Sequence, residues 1–124
     1  MKTGGLYREA HVERLQKQLD RPLLCLSDIP LNVPRVTVEP LMNNWDGWWS
    51  KLELFALEGP LVYLDLDVSI VGNPDRLYCD EFTMWDDPLF PGYFNSSVMS
   101  WVKPMKHVYN NCLLYTSDAA DDLL

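Results

Sequence analysis

Helical spacing of apolar residues dominates two stretches of the chain. Within residues 7–19, Val12, Leu15 and Leu19 recur on one side of a cylinder whose other positions are mostly charged, which predicts an amphipathic helix. A second helix is predicted over residues 46–57, with Asp46 as its N-cap. A turn at residues 72–74 predicts a short helix that ends at Leu77.

Short apolar runs lie between these helical stretches and predict β-strands. The runs are residues 23–26, 36–38, 61–64, 82–85 and 97–101. Because helices and short apolar strands alternate along the chain, the pattern favours an α/β fold, specifically a three-layer sandwich.

Two carboxylates follow the apolar run 61–64. Asp65 and Asp67 come where this buried strand should end, and residues two apart on a strand point to the same side. Two like charges beside an apolar core repel each other and are costly to desolvate. Binding of Mg²⁺ or Mn²⁺ would lower the free-energy cost of both effects. In an open α/β sheet, ligands bind at this end of the strands. The pattern therefore predicts metal–phosphate chemistry; the alternative is a polar turn with solvated aspartates.

Two further segments carry polar groups with more than one interpretation. Lys51, which lies among apolar residues, is either a phosphate-binding cation or a solvated surface lysine. Asn95 and Ser96 precede a predicted strand and either bind hydroxyl groups of a polyol or form a turn. Trp45, Trp48 and Trp49 share one face of the predicted helix, and a core-facing stripe is favoured over a sugar-stacking platform.

Composition limits the class of protein. The chain has 124 residues, enough for one modest domain, with an apolar share of 48% and a net charge of −8. This acidity argues against a nucleic-acid partner. No apolar run approaches the length of a transmembrane helix. Three widely spaced cysteines without metal-ligand spacing indicate a reducing, cytoplasmic environment.

Three motifs in a fixed order resemble a known family. They are Trp-Trp-Ser-Lys at 48–51, Val-Tyr-Leu-Asp-Leu-Asp-Val-Ser-Ile-Val-Gly-Asn-Pro-Asp-Arg-Leu at 62–77, and Phe-Asn-Ser-Ser-Val-Met at 94–99. Together they resemble the GT-A-fold nucleotide-sugar glycosyltransferases, specifically bacterial and phage relatives of family 8, the glycogenin and lipopolysaccharide galactosyltransferase group. The resemblance covers residues 2 to about 109. It implies a GT-A (Rossmann-like) sandwich with a mostly parallel sheet.

The same resemblance implies an activity and a cofactor. Asp65 and Asp67 match the family's metal-binding motif, whose cation, usually Mn²⁺ or otherwise Mg²⁺, binds the diphosphate of the donor. The implied reaction moves a hexose from a nucleoside-diphosphate sugar, with retention, to an acceptor that is an unidentified glycan, lipid or protein.

The remaining matched positions are implied to bind the donor. Lys51 matches a lysine that contacts the donor sugar or its phosphates, and Asn95 and Ser96 match residues that line the sugar pocket. A third group falls where a loop cradles the nucleotide, and it consists of Lys2, Thr3, Gly4 and Tyr7.

The ends of the chain depart from the family pattern, so we expect a fold that is incomplete at both ends. The family's first strand and its later metal-ligating histidine have no counterpart. Residues 112–124 resemble translated sequencing-adapter read-through, the alternative being a short acidic tail. We therefore expect a partial glycosyltransferase domain over residues 1–111 and a tail outside the fold.

Two other functions use the same residues. A haloacid-dehalogenase-type phosphatase would use Asp65 as its nucleophile, with Asp86 and Asp87 as acidic partners, but it leaves the other two motifs unexplained. A non-catalytic α/β interaction module would need no chemistry from any of them.

Removal of the tail should leave stability unchanged. Residues 115–124 offer only two alanines and two leucines beside three aspartates. Burial at ~25 cal/mol per Å² cannot offset ordering costs of ~1–2 kcal/mol per residue for so little apolar surface. A chain ending at Asn111 should unfold at the same temperature as the full chain by calorimetry. A decrease of several degrees would show that the tail belongs to the fold.

Overall fold

A computed structural model of the chain describes residues 5–43 and 45–122. Over these residues it contains two α-helices, α1 (Glu9–Lys17) and α2 (Lys106–Asp122), and two 3₁₀ helices, Gly47–Ala56 and Pro74–Leu77. The same part of the chain contains five strands, which are β1 (Leu23–Ser27), β2 (Val36–Pro40), β3 (Leu61–Leu64), β4 (Thr83–Asp86) and β5 (Phe94–Trp101).

The strands form two small sheets. β1 and β2 pair in parallel, from Leu23 opposite Val36 to Ser27 opposite Pro40. The second sheet has the order β3–β5–β4, and its central strand β5 is antiparallel to both neighbours. The result is a mixed α/β domain in which β5 is paired on both edges.

The predicted three-layer sandwich of the GT-A (Rossmann-like) type, with a mostly parallel sheet, is wrong. A parallel pair of strands needs a long crossover connection, usually a helix. Between β3 and β4 the chain has only the short helix Pro74–Leu77, and β4 turns back into β5 through residues 87–93 without any helix. The turn after β4 makes β5 run back beside it in the opposite direction. β5 also pairs antiparallel with β3, so β3 and β4 run in the same direction on its two edges, and no two strands of this sheet are parallel neighbours.

Individual elements agree with the sequence pattern better than their pairing does. α1 buries Val12, Leu15 and Leu19, the three apolar residues that predicted it. Each predicted strand is present with small shifts at its ends, except that β5 begins at Phe94 rather than Ser97. The helix expected over residues 46–57 is a 3₁₀ helix and not an α-helix.

A compact apolar cluster packs between the antiparallel sheet and the helices. Phe55, Met99 and Trp101 are buried at its centre, and the rings of Phe55 and Trp101 lie 5.2 Å apart. Met105, Val108 and Tyr109, from the start of α2 and the residue before it, pack against this cluster together with Leu52, Leu54, Leu61, Tyr63 and Met84. Aromatic side chains bury large areas, so this cluster anchors the 3₁₀ helix and α2 to β5.

The backbone of α2 continues across residue 112, where we predict that the domain ends. The described packing against the apolar cluster comes from residues before this point. The assignment of 112–124 to a tail outside the fold stays a prediction. Within the described residues, no helix is both long and apolar enough to span a membrane.

A substitution at Gly59 should destabilise the domain. A Cβ atom there would lie 2.4 Å from the carbonyl oxygen of Val102 and 2.9 Å from that of Trp101, both of which are backbone atoms. Such overpacking typically costs about 1–3 kcal/mol. We expect Gly59→Ala to lower the free energy of unfolding by this amount in urea titrations. Gly72→Ala, whose Cβ would meet nothing within 4 Å, is the matched control and should be neutral or slightly stabilising.

Candidate functional site

An ion pair joins the 3₁₀ helix Gly47–Ala56 to the end of β3. The ammonium nitrogen of Lys51 lies 2.9 Å from Oδ1 of Asp65, and the two side chains are only 19% and 25% exposed. Partial burial strengthens the attraction relative to an ion pair in water and makes either charge costly without the other. Lys51 is therefore not the solvated surface lysine that the sequence left open.

Ser96 supplies the other acceptors of Lys51. The ammonium group donates to Ser96 Oγ at 3.1 Å and to the Ser96 carbonyl oxygen at 3.3 Å. An ammonium group has three donors, and these contacts with Asp65 and Ser96 use all three. Lys51, Asp65 and Ser96 come from three separate motifs, and the fold brings them together.

An irregularity in the sheet exposes Ser96 to Lys51. β4 pairs Met84 with Met99 but the next residue, Trp85, with Asn95, so Ser96, Ser97 and Val98 have no partner on β4 in this register. On the other edge, the amide of Asp65 donates to the carbonyl of Ser97 at 2.8 Å. Residues 96–98, which we call the irregular segment, are thus hydrogen-bonded to Asp65 on one edge and unpaired with β4 on the other. The unpaired residue Ser96 can therefore accept hydrogen bonds from Lys51.

Tyr63 is a member of the site that sequence reasoning missed. Its hydroxyl donates a short hydrogen bond to Oδ1 of Asp65, and the ammonium of Lys51 lies 5.1 Å from the centre of its ring. Burial, followed by the hydrogen bond to Asp65, raises the pKa of Tyr63, so the phenol stays protonated. The period of two along a strand could have predicted this contact, because Tyr63 and Asp65 share a side of the chain.

Asp67 lies in a turn beyond the strand. β3 ends at Leu64, and the amide of Val68 donates to the carbonyl of Asp65 at 3.1 Å. The direction of Asp67 is therefore set by the turn and not by strand alternation. Its side chain is exposed. We call residues 65–70 the aspartate loop.

Helix α1 holds the aspartate loop in place. The guanidinium of Arg14 donates to the carbonyls of Leu66 and Val68, and the side-chain oxygen of Gln18 accepts from the amide of Ile70 at 2.9 Å. Arg14 and Leu66 are separated by 52 positions. No local pattern signals such a distant contact, so neither Arg14 nor Gln18, the residue that follows α1, could be identified from the sequence.

Tyr7 lies within electrostatic reach of both aspartates. Desolvation is the main cause of its raised pKa, and the negative charges of Asp67 and Asp65 add to it. The ring of Tyr7 also packs edge-on against His11, with 5.6 Å between ring centres. The other predicted nucleotide-cradling residues, Lys2, Thr3 and Gly4, lie outside the described residues.

Asn95 lies in β5 and not in a turn before it. Its side-chain oxygen accepts from the amide of Ser97 at 2.9 Å, so that oxygen supports the irregular segment. The amide nitrogen of this side chain is not used by this contact. Asp87, proposed as an acidic partner in the phosphatase alternative, accepts from the amides of Leu89 and Phe90 and so closes the loop between β4 and β5.

The prediction of a core-facing tryptophan stripe is wrong. Trp48 and Trp49 are 81% and 62% exposed, and only Trp45 is half-buried, against Tyr109. A 3₁₀ helix has three residues per turn, so the spacing that aligns side chains on an α-helix does not align them here. The buried positions of this helix are Glu53 and Phe55.

Asp65 and Asp67 are the two carboxylates that the sequence predicts to hold a cation. Within residues 5–43 and 45–122, no group of three or more acidic, histidine or cysteine side chains could enclose a metal. Mg²⁺ and similar ions are commonly bound by one or two carboxylates plus phosphate oxygens and water. Asp67 is exposed, and both contacts of Asp65 use Oδ1 and leave its second oxygen unused by them.

Comparisons with family models, with curated proteins and with solved structures found no match to this chain. Its function must therefore be inferred from the chemistry of the site.

The hydrogen bond between Tyr63 and Asp65 should make the free energy of unfolding decrease as the pH rises through the alkaline range. Tyr63→Phe removes a hydrogen bond to a charged group and should cost about 1–3 kcal/mol near neutral pH. The folded state raises the pKa of Tyr63, so above about pH 10 the unfolded chain loses this proton first and stability falls by ~1.4 kcal/mol per pH unit. The variant lacks this dependence.

Urea unfolding at a series of pH values between 8 and 11 would measure this effect. The difference in unfolding free energy between the wild type and Tyr63→Phe should narrow above about pH 10. Lysines titrate in both proteins, so the difference isolates Tyr63. Tyr93→Phe, at a 70% exposed position, is the matched control. A constant difference across the series would contradict the proposed protonated donor.

Proposed function

We propose that the chain is a metal-dependent glycosyltransferase that acts on a nucleoside-diphosphate sugar. The observation that carries this proposal is the convergence of Lys51, Asp65 and Ser96 within 2.9–3.3 Å, with Asp67 in the adjoining loop. These residues belong to the three motifs on which the family resemblance rests. The antiparallel sheet places them together without the parallel sheet that the resemblance implies.

A diphosphate group suits the charges of this site. Lys51 already compensates Asp65, so a divalent cation on the same carboxylate would face a nearby ammonium of like sign. Phosphate oxygens would supply the negative charge that accommodates both cations. We therefore expect the cation and the nucleotide to bind cooperatively, each weakly without the other.

Each residue has a role in this arrangement. Asp65 and Asp67 would hold the cation, and Tyr63 orients Asp65 through its hydroxyl hydrogen bond. Lys51 has three acceptors within the protein, so contact with the donor requires that it release one, and the longest contact is the 3.3 Å one to the Ser96 carbonyl. Arg14 and Gln18 hold the aspartate loop so that Asp67 faces the donor.

The chemistry of transfer is electrostatic in this proposal. When bound, the cation would stabilise the negative charge that develops on the departing nucleoside diphosphate, as a Lewis acid. Lys51 adds a second positive charge beside the same phosphates. Retention of configuration is inherited from the family resemblance. Cys25 and Cys79 are thiols, which suits the reducing cytoplasm that we propose as the location.

Asp67→Asn should weaken the cooperative binding of cation and nucleotide. UDP, GDP and ADP are first compared in the presence of Mn²⁺, and the one that binds most tightly is used. We expect its affinity, measured by calorimetry, to fall at least tenfold, because a carboxylate that binds the metal directly contributes more to affinity than a residue that only hydrogen-bonds to such a ligand, whose loss typically costs about 10–100-fold. Asp80→Asn makes the same charge change at an exposed residue before β4 and is the control. Equal affinity with and without Mn²⁺ in the wild type would exclude the proposed site.

Lys51→Met, measured in the same experiment, separates the role of the lysine ammonium group from that of the metal ion. Without the ammonium, Asp65 is left uncompensated, so Mn²⁺ alone should bind more tightly while the nucleotide binds less tightly. A decrease in both affinities would mean that Lys51 only maintains the fold. A covalent aspartyl adduct on Asp65 after treatment with beryllofluoride, seen by mass spectrometry, would favour the phosphatase alternative and overturn the proposal.

A further inference from the structure

The guanidinium group of Arg14 contacts three oxygen atoms of the aspartate loop. Its Nη2 donates to the carbonyl oxygens of Leu66 and Val68, at 2.5 and 3.3 Å, and its Nη1 lies 3.5 Å from Oγ of Ser69. Carbonyl and hydroxyl oxygens are also ligands of hard metal ions. A side chain of the protein therefore places a positive charge on oxygens that a metal ion could otherwise use.

The order of oxygen-bearing residues in the aspartate loop is that of a calcium-binding loop. Asp65, Asp67 and Ser69 occupy alternate positions. Alternating oxygen ligands followed by a backbone carbonyl are typical of loops that wrap around Ca²⁺, and a glycine directly after the third of these residues makes the sharp turn. Here Ile70 stands in the place of that glycine. The loop thus offers the ligand types that Ca²⁺ prefers, without the turn that gathers them around an ion.

Arg14 lowers the number of oxygens that the loop can offer. Ca²⁺ takes about 6–8 oxygen ligands, often with backbone carbonyls among them, whereas smaller ions are bound by one or two carboxylates together with water and phosphate oxygens. A carbonyl oxygen has a second lone pair, but a metal ion there would lie next to the guanidinium group, which has the same sign of charge. The oxygens that Arg14 does not contact include Oδ2 of Asp65 and the exposed carboxylate of Asp67. Two carboxylates suffice for Mn²⁺ or Mg²⁺ and leave Ca²⁺ short of ligands.

Arg14 also restricts how far the aspartate loop can rearrange. Its bonds to the carbonyls of Leu66 and Val68, with the bond from the amide of Ile70 to Gln18, tie the loop to α1 and the residue that follows it. The apolar face of α1 is buried, so this attachment is firm. Selectivity between Ca²⁺ and Mg²⁺ depends on ligand number and on the flexibility of the site. A loop held in this way does not close around a larger ion.

We infer that Arg14 determines which cation the site accepts. By covering the carbonyl and hydroxyl oxygens of the aspartate loop and holding that loop to α1, it restricts the site to Mn²⁺ or Mg²⁺ and excludes Ca²⁺. This inference rests on the proposed function, because it concerns the same cation. It assigns the choice of ion to a positioning residue that, in the proposed arrangement, binds neither the ion nor the nucleotide.

Calorimetric titration of the full chain with Mn²⁺ and with Ca²⁺, each with the nucleoside diphosphate that binds most tightly, tests the inference. The wild type should bind Mn²⁺ at least about tenfold more tightly than Ca²⁺. Arg14→Met removes the guanidinium group but keeps an unbranched side chain, and it should reduce this ratio of affinities by about tenfold or more, as outer residues of metal sites typically do. Loss of a nearby positive charge favours both divalent ions alike, so the ratio isolates the released oxygens.

Two further variants serve as controls. Arg35→Met makes the same charge change at an exposed arginine in the turn before β2 and should leave the ratio unchanged. Arg14→Lys keeps the positive charge, but one nitrogen replaces a guanidinium group that bonds the loop through two. Its ratio should still fall severalfold, so it replaces Arg14→Met if that variant does not fold, as judged by circular dichroism.

Three results would overturn the inference. These are equal affinities of the wild type for Mn²⁺ and Ca²⁺, an unchanged ratio in the folded Arg14 variant, and the same decrease of the ratio in Arg35→Met. All three leave the proposed function intact, because it requires only that Mn²⁺ and the nucleotide bind cooperatively and that Asp67→Asn weakens this binding. Failure of the wild type to bind a nucleotide in a Mn²⁺-dependent manner is the separate result that would exclude the proposed function, and with it the inference.

Discussion

The negative charge of Asp65, at the point where β3 leaves the sheet, is the constraint on which the site depends. A half-buried carboxylate is costly unless it is paired and hydrogen-bonded. Lys51 provides the opposite charge and Tyr63, from β3 itself, a hydroxyl donor, so the 3₁₀ helix is held against the end of β3. Lys51 in turn requires acceptors, and Ser96 provides them from the irregular part of β5. This one charge thus adds a polar contact among the 3₁₀ helix, β3 and β5, which the apolar cluster and the β3–β5 pairing already hold together.

The individual helices and strands could be predicted from the sequence wherever apolar residues recur at a helical or strand spacing. The apolar spacing of Val12, Leu15 and Leu19 identified the buried face of α1, and each short apolar run became a strand. The pairing of those strands did not follow. Helices and strands that alternate in sequence favour parallel crossovers, but antiparallel neighbours need only a short turn between them. β4 and β5 are joined by such a turn, residues 87–93, and β5 then pairs with the distant β3 on its other edge, a contact that no local pattern indicates.

The candidate site was also predictable only where its residues belong to a local sequence pattern. Asp65, Lys51 and Ser96 could be identified because each lies in a recognisable motif, and their convergence could be expected from the family resemblance. Tyr63 could have been found from strand alternation. Arg14 and Gln18 could not, because they reach the aspartate loop from a distant helix. The tryptophans were misjudged because an α-helical spacing was applied to a 3₁₀ helix, whose turn is shorter.

Lys51 lies at the boundary between two environments of opposite character. On one side are Asp65, Asp67 and Tyr7, a polar region where phosphates and a cation can balance each other's charge. On the other side is a groove whose walls include the aromatic side chains of Trp48, Trp49, Phe55 and Phe82. In a transfer reaction the reacting carbon of the donor must lie between its phosphates and the acceptor hydroxyl. Under the proposed function that position would be beside Lys51 and Ser96, where the two regions meet, so the contact that stabilises Asp65 would also lie next to the transferred sugar.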